Sequence, residues 1–451
     1  MGGNAWILTG PIAALAIGVA ACLGCVGPAH AAGGDADLCR NFHAPADAQI
    51  AACGRLIAAR KLHGQALAEV HFRRGRAFNR ANDADRAFAE FDQAVQIAPE
   101  WAEPYVDRGT AYTGKGDFDR ALADFDQAIR LDAGLPNAYV GRSTVWSAKG
   151  DEDRSFTDAD QALRLDPTNA IAYNNRAAAY LKRGDLDRAL DDIGQAIKLN
   201  PRIAAFYFAR ANALRDKGET ARAIGDYDQA LKLDPSFARA LSNRGDVYRK
   251  AGQFDRAIAD FDQAIRLAPG LAEAFTRRGH AYVRLGQHDR AVADYDAALR
   301  LNPNDNDALN GRANAYTGKG DYDSAIADYD RAIALNPKIG MVYLNRGVAY
   351  AAKNDQDRAI ADFDQVLALK TNDLFAYTLR GAAYSAKGDD ARAIADYDRA
   401  IALDPRNALT LYRRGAARLK TGDAAGGDAD IAAAKSIKPN VAEDFARLGL
   451  R

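Results

Sequence analysis

Apolar residues along this chain fall in two alternating helical registers, separated by short breaks. Residues 238–271 show the pattern. Leu241, Val247 and Tyr248 mark one face of a first helix, and Phe254, Ala257, Ile258, Phe261, Ala264, Ile265 and Leu267 mark one face of a second. Gly252 stops the first helix and Pro269 follows the second. Asp117, Asp151 and Asp321 open second helices elsewhere, where a carboxylate can cap free backbone N–H groups.

The pattern has a fixed period. Pro99, Pro167, Pro201, Pro235, Pro269, Pro303, Pro337, Pro405 and Pro439 lie on one 34-residue lattice, with Ala133 and Thr371 at the two points that lack proline. Eleven units begin at residues 68, 102, 136, 170, 204, 238, 272, 306, 340, 374 and 408, with no insertion or deletion. Ordering one 34-residue unit costs on the order of 50 kcal/mol of conformational entropy, which a single pair of helices cannot offset. Stacked neighbours close that gap, so the period predicts an all-α array.

Small residues stand at repeat position eight (Gly75, Gly109, Gly245, Gly279, Gly347, Gly381, Gly415). Position eleven is often aromatic (Tyr112, Tyr248, Tyr282, Tyr316, Tyr350, Tyr384), and Ala, an aromatic, Ala and Pro recur at positions twenty, twenty-four, twenty-seven and thirty-two. This pattern resembles the tetratricopeptide repeat. The resemblance implies a right-handed α-solenoid, a superhelix of eleven helical hairpins with more than one turn, and a protein or peptide partner held by the first helices. It divides the chain into a signal peptide at 1–31, a cysteine-bounded cap at 32–67, the repeats at 68–441 and an end helix at 442–451. A cysteine-bounded segment before the repeats is similar to exported alphaproteobacterial proteins of this kind.

Two departures stand out. Repeat three pairs Trp146 at position eleven with Ala159 at twenty-four, which suggests compensation within one pocket. Repeat eleven has Arg418, Gly427 and Ile431 at core positions, as expected of a unit facing solvent.

Position seven is Arg in all eleven repeats, from Arg74 to Arg414, where the family more often has Leu. Position twenty-three is acidic in all eleven and position twenty-five is Asp in nine. The rows predict an ion-pair ladder between helices rather than a basic stripe for a ligand.

The resemblance places repeat positions two, five, six, nine, twelve and thirteen on the binding face. There it implies a peptide-binding groove of Asn175, Asn212, Asn243, Asn314, Asn345, Arg215, Arg249 and Lys250. Arg277 and Arg284 add positive charge, and Asp216 and Asp246 dilute it. Asn212 with Asn243, and Asn314 with Asn345, copy the Asn pair of the chaperone-binding carboxylate clamp. Phe208, Asn310, Phe375 and Leu379 replace its basic members, so heat-shock-chaperone binding is not expected. Arg183-Gly184-Asp185 and Arg244-Gly245-Asp246 spell adhesion tripeptides, but the repeat pattern itself produces both.

The first 31 residues differ from the rest. An apolar run, Ile12 to Val26, leads through Pro28 to Ala29-His30-Ala31, which reads as a secretory segment with a small-x-small cleavage site. Val19-Ala20-Ala21-Cys22 also reads as a lipobox, and Ile7 to Val26 nearly suffices for an uncleaved anchor. Each reading exports the repeats, to the periplasm, the medium or a lipid anchor at Cys22. Beyond Cys22 and Cys25, the chain has Cys39 and Cys53, a pair that in an exported protein is most simply a disulfide.

Charge narrows the partner class. Lys plus Arg equals Asp plus Glu at 60 each, which argues against nucleic acid. Six scattered His and the absence of HExxH, GxSxG or a phosphate loop give no catalytic, metal or cofactor motif. The expectation is a non-enzymatic scaffold or adaptor in the cell envelope. Its alternatives are the recognition subunit of an envelope enzyme complex and a lipid-anchored receptor for a saccharide or peptide.

Overall fold

The computed structural model describes residues 34–447. The signal and lipobox readings, with Cys22 and Cys25, lie outside them. Among the described residues all regular structure is helical, and no helix is long and apolar enough to cross a membrane. The chain divides into two compact units between Pro235 and Ser236.

The first unit opens with α1 (Asp35–Arg40) and α2 (Ala46–Ala58). The Cys39–Cys53 disulfide joins them. α1 was not foreseen from the sequence. Cys53 is buried, and the half-buried Leu56 and Ile50 pack against the buried clusters of the cap and of the first hairpin. The buried side of α2 also holds a polar residue, Gln49, whose amide donates to the Cys39 carbonyl at 2.7 Å. Five hairpins follow: α3 (Gly64–Arg80) with α4 (Ala84–Ile97), α5 (Ala102–Gly114) with α6 (Phe118–Leu131), α7 (Pro136–Ala148) with α8 (Glu152–Leu165), α9 (Ala170–Lys182) with α10 (Leu186–Leu199), and α11 (Ala204–Asp216) with α12 (Thr220–Leu233). α3 starts four residues ahead of the 34-residue frame.

The second unit has six hairpins and an end helix. They are α13 (Ala238–Lys250) with α14 (Phe254–Leu267), α15 (Ala272–Arg284) with α16 (His288–Leu301), α17 (Asn306–Lys319) with α18 (Tyr322–Leu335), α19 (Gly340–Ala352) with α20 (Gln356–Leu369), α21 (Leu374–Ala386) with α22 (Asp390–Leu403), and α23 (Ala408–Lys420) with α24 (Ala424–Ile437), then α25 (Val441–Arg447). The end helix is not only a polar lid: Val441 is buried and Phe445 lies against Tyr412.

Local chemistry sets the boundaries. Asp117, Asp151 and Asp321 accept hydrogen bonds from the backbone N–H three residues on. After the first helix the chain turns through a left-handed residue, usually Gly, as at Gly252. In repeats one and nine Asn82 and Asn354 take that conformation instead.

The core of most hairpins is the ring at position twenty-four, replaced by Ala159, Ile193 and Ile431 in repeats three, four and eleven. Phe125, Tyr227, Phe261, Tyr295, Tyr329, Phe363 and Tyr397 are 0–2% exposed. Position eight must be small for these rings to fit: a Cβ on Gly347 would lie 2.7 Å from Phe363. The same rings reach position six of the next repeat, as Phe125 does at Gly141. In that register Ala159 stands opposite Asn175. The Trp146 ring lies under the Arg154 guanidinium, 3.6 Å away, at the start of α8.

The ion-pair ladder forms in every repeat. Each position-seven Arg pairs with the acid sixteen residues later, and Arg108 is typical: Nε and Nη2 donate to Asp124 at 2.8 and 2.7 Å. Its Nη1 donates to Asp92 of the preceding repeat at 2.8 Å. At least eight of them make this second, inter-repeat bond. Where both bonds form, the ladder ties a first helix to two second helices. Its hydrogen bonds to Asp124 raise the Arg108 pKa above its ordinary value, and it carries no free charge toward a ligand.

Candidate functional site

A cavity of about 460 Å³ opens on the first-helix face of the second unit, lined by α13, α15 and α17, with Tyr295 of α16 behind it. The register explains the grouping. Asp307 comes from position two, Arg277 and Gly311 from six, Asp246, His280 and Asn314 from nine, and Arg249, Lys250, Val283 and Arg284 from twelve and thirteen. One face of three parallel helices thus converges on one space.

Its charge is unbalanced. Arg249, Lys250, Arg277 and Arg284 face Asp246 and Asp307. Asp246 is buried, accepts from Arg249 Nε and Nη2 at 2.9 and 2.6 Å, and pairs with Lys250 at 3.1 Å. Burial opposes its ionisation, but Arg249 and Arg277 outweigh burial and hold its pKa below the usual Asp value. Arg277 donates to Ser242 Oγ and Asn243 Oδ1 at 2.9 Å each and pairs with Glu273 at 3.3 Å. Arg284 is exposed and forms no ion pair or hydrogen bond with the described residues. Four cations thus share two carboxylates in the cavity lining.

A relay of hydrogen bonds stiffens the cavity's back wall. Tyr295 Oη lies 2.8 Å from His280 Nδ1, and His280 Nε2 lies 3.1 Å from Asp307. An ionised carboxylate only accepts, so Nε2 carries a proton; in the neutral ring Nδ1 then accepts from the Tyr295 hydroxyl, and in the charged ring it donates to it. The His280 bond, aided by Arg249 and Arg277, lowers the Asp307 pKa. Burial pushes the Tyr295 phenol far above its ordinary range. Gly311 makes room for it: a Cβ there would lie 2.5–2.7 Å from the Tyr295 ring and hydroxyl.

The sequence-derived groove residues separate on inspection. Arg249, Lys250 and Asn314 line the cavity, and Asn243 lies beneath it holding Arg277. Asn345 donates to Asn310 and Asn314 at 3.3 and 3.1 Å, one helix further along. Asn175, Asn212 and Arg215 belong to the first unit. Asn175 is 7% exposed and donates to Thr144 at 2.9 Å, so its amide joins two repeats instead of meeting solvent. Asn212 is buried and accepts from Tyr227 Oη at 2.6 Å, and Arg215 pairs with Asp216 at 2.8 Å. A search for Asn and basic residues could not find His280, Tyr295, Asp307 and Gly311. A His at position nine beside a Gly at position six of the next repeat was the available signal. Among the described residues no group of three or more His, Cys, Asp or Glu is arranged to hold a metal ion.

Stacked 34-residue hairpins with this packing define a class of helical-repeat, non-globular binding proteins. A family model of the tetratricopeptide repeat matches residues 106–170, 208–272, 276–338 and 311–373; others of the same repeat match 170–203 and 383–422. The first alone covers just over half of the chain, and the chain belongs to the tetratricopeptide repeat family. Proteins built from these repeats are generally protein-interaction scaffolds. The solved APC/C hetero-tetramer Cut9–Hcn1 matches over 82% of this chain and 93% of its own, at 17% identity and a TM-score of 0.50, and shows the fold. A tetratricopeptide repeat protein from Parabacteroides merdae matches over 55% of this chain and 98% of its own, at 23% identity and a TM-score of 0.44. YrrB, described as a TPR protein with an unusual peptide-binding site, matches over 41% and 95%, at 28% identity and a TM-score of 0.36. No curated protein matches the chain.

Proposed function

We propose that the protein is a non-enzymatic scaffold of the cell envelope that holds a partner through an acidic peptide segment, seated in the α13–α15–α17 cavity. The observation that carries this reading is the cationic excess of a preformed cavity on the first-helix face. Arg284 forms no ion pair with the described residues, and Arg277 bonds directly to neutral Ser242 and Asn243, so four cations face only Asp246 and Asp307 in the cavity lining. A peptide carboxylate or an Asp or Glu side chain supplies the missing acceptor, and bidentate Arg pairing fixes its orientation. The N-terminal apolar run and the Cys39–Cys53 pair support export.

The test is site-specific photo-crosslinking in the intact chain, with the crosslinker at Val283 in the cavity or at Arg266 on the exposed side of α14. Protein partners crosslinked from position 283 and lost with Arg277→Gln support the reading. Adducts from position 266 alone, unaffected by Arg277→Gln, overturn it. The mass of the mature N-terminus, measured on envelope fractions, separates cleavage after Ala31 from lipidation at Cys22; an intact N-terminus in the cytosolic fraction overturns export.

A further inference from the structure

The charged cavity does not stand alone on its face. In the second unit, α13, α15, α17 and α23 each carry charged side chains beyond the ladder Arg. α19 and α21 carry none: their sole charged residues are the ladder residues Arg346 and Arg380. In the register that lines the cavity, positions two, six and nine, α19 presents Met341, Asn345 and Val348, and α21 presents Phe375, Leu379 and Ala382. Met341 and Phe375 are 59% and 64% exposed, the most exposed large apolar side chains described. Isolated exposed apolar residues need no explanation, but here they cluster on two contacting helices. The replacements of basic clamp residues by Phe375 and Leu379 thus fall on the same patch.

Between cavity and patch lies an amide cluster. Asn345 donates to Asn310 and Asn314, and Asn314 Oδ1 also accepts from Tyr329. The Nδ2 of Asn314 and the Oδ1 of Asn345 have no partner among the described residues, which suits a peptide backbone. The face therefore runs from cationic through amide to apolar. We infer that it binds one extended peptide with a carboxylate cluster at one end and large apolar side chains at the other. The acidic end sits on Arg249, Arg277 and Arg284, and the apolar end on Met341, Phe375 and Leu379. Neighbouring first helices stand about 10 Å apart, so α19 and α21 lie about 20–30 Å from α15, the reach of roughly six to nine extended residues. This inference rests on the proposed acidic-peptide reading and adds the second anchor and the spacing.

The test uses the full chain and fluorescein-labelled synthetic peptides read by anisotropy. The parent carries Asp-Asp, a Ser-Thr spacer of about seven residues and Leu-Phe. Three relatives change Asp-Asp to Asn-Asn, Leu-Phe to Ser-Ser, or cut the spacer to about two residues. The parent is expected to bind at least about tenfold more tightly than each relative. Met341→Ser with Phe375→Ser should weaken the parent by a similar factor and leave the Ser-Ser peptide unchanged. Both side chains are more than half exposed, so the fold tolerates the change, and unchanged helical circular dichroism verifies it. If parent and Ser-Ser peptides bind equally, the second anchor is wrong and the acidic site stands. If Asn-Asn and parent peptides bind equally, or no peptide binds, both readings fail.

Discussion

Arg277 and Arg278 adjoin in one helix and share one chemistry, yet they belong to different regions of the molecule. Arg278 sits in the ladder: it grips Asp294 through Nε and Nη2 at 2.8 and 2.6 Å, and Asp262 of the preceding repeat. Arg277, one position earlier, points to the cavity and leans on the neutral groups of Ser242 and Asn243. The first kind of Arg recurs in all eleven repeats, each time against an acid at the same offset. The second kind is local. In a repeat protein a charge that recurs with the period serves the period, and a charge that breaks it is free for recognition. The pair Arg413 and Arg414 repeats the contrast near the C-terminal end, with Arg414 bidentate to Asp430 and Arg413 buried without an acidic partner.

The largest effect should come from splitting the neighbours. Arg278→Ala strands Asp294, which is 5% exposed, and should lower the unfolding free energy in urea by roughly 3–5 kcal/mol. Arg277→Ala should cost less than about 1 kcal/mol while abolishing acidic-peptide binding. Equal stability losses for the two would erase the distinction.

Two glycines sharpen it. Gly347→Ala drives a Cβ to 2.7 Å from Phe363, and Gly311→Ala drives one to 2.5 Å from Tyr295. Overpacking should cost each about 1–3 kcal/mol. Only Gly311→Ala displaces the ring that holds His280, so only it should also weaken acidic-peptide binding by anisotropy. A binding loss of the same size in Gly347→Ala would place the cavity's affinity in the general packing instead.

Arg413 offers a gain. It is 6% exposed, its Nε lacks a partner, and Nη1 reaches only the Thr378 carbonyl at 3.5 Å. Arg413→Met should raise unit-two stability by about 1 kcal/mol, seen as a higher melting temperature, whereas Arg414→Met should lower it. A fall in both would show that Arg413 is satisfied where it lies.

The smallest effect is in acid. Asp246 and Asp307 both have folded pKa values below the ordinary Asp value. Their contribution to stability is complete above about pH 4 and is lost as pH falls through those lower folded values. Hydrogen exchange of α13 and α17 should therefore accelerate in that acid window. Asp246→Asn should flatten the response; an unchanged acid profile in that variant would remove Asp246 from the cavity's electrostatics.

Legibility followed periodicity. The lattice prolines, the small residue at position eight and the ring at twenty-four each recur, so a single sequence contains many copies of the same message. The Arg row and its acids were readable as a ladder for that reason, and the structure showed that both acidic rows take part, sixteen residues after and sixteen before the Arg. The cavity was not readable in the same way. Arg249, Lys250 and Asn314 could be nominated by position, but so could Asn175, which is buried between repeats.

The sequence by itself determined the repeat, its phase, the hairpin boundaries and the ladder, because each depends on chemistry within about one repeat and is stated eleven times over. Tertiary structure alone decided which non-repeating side chains share a space. His280 meets Tyr295 of its own hairpin and Asp307 of the next, and Gly311 admits the ring that joins them. Such a grouping depends on how closely three first helices approach and on the volume each leaves, quantities that no single repeat encodes.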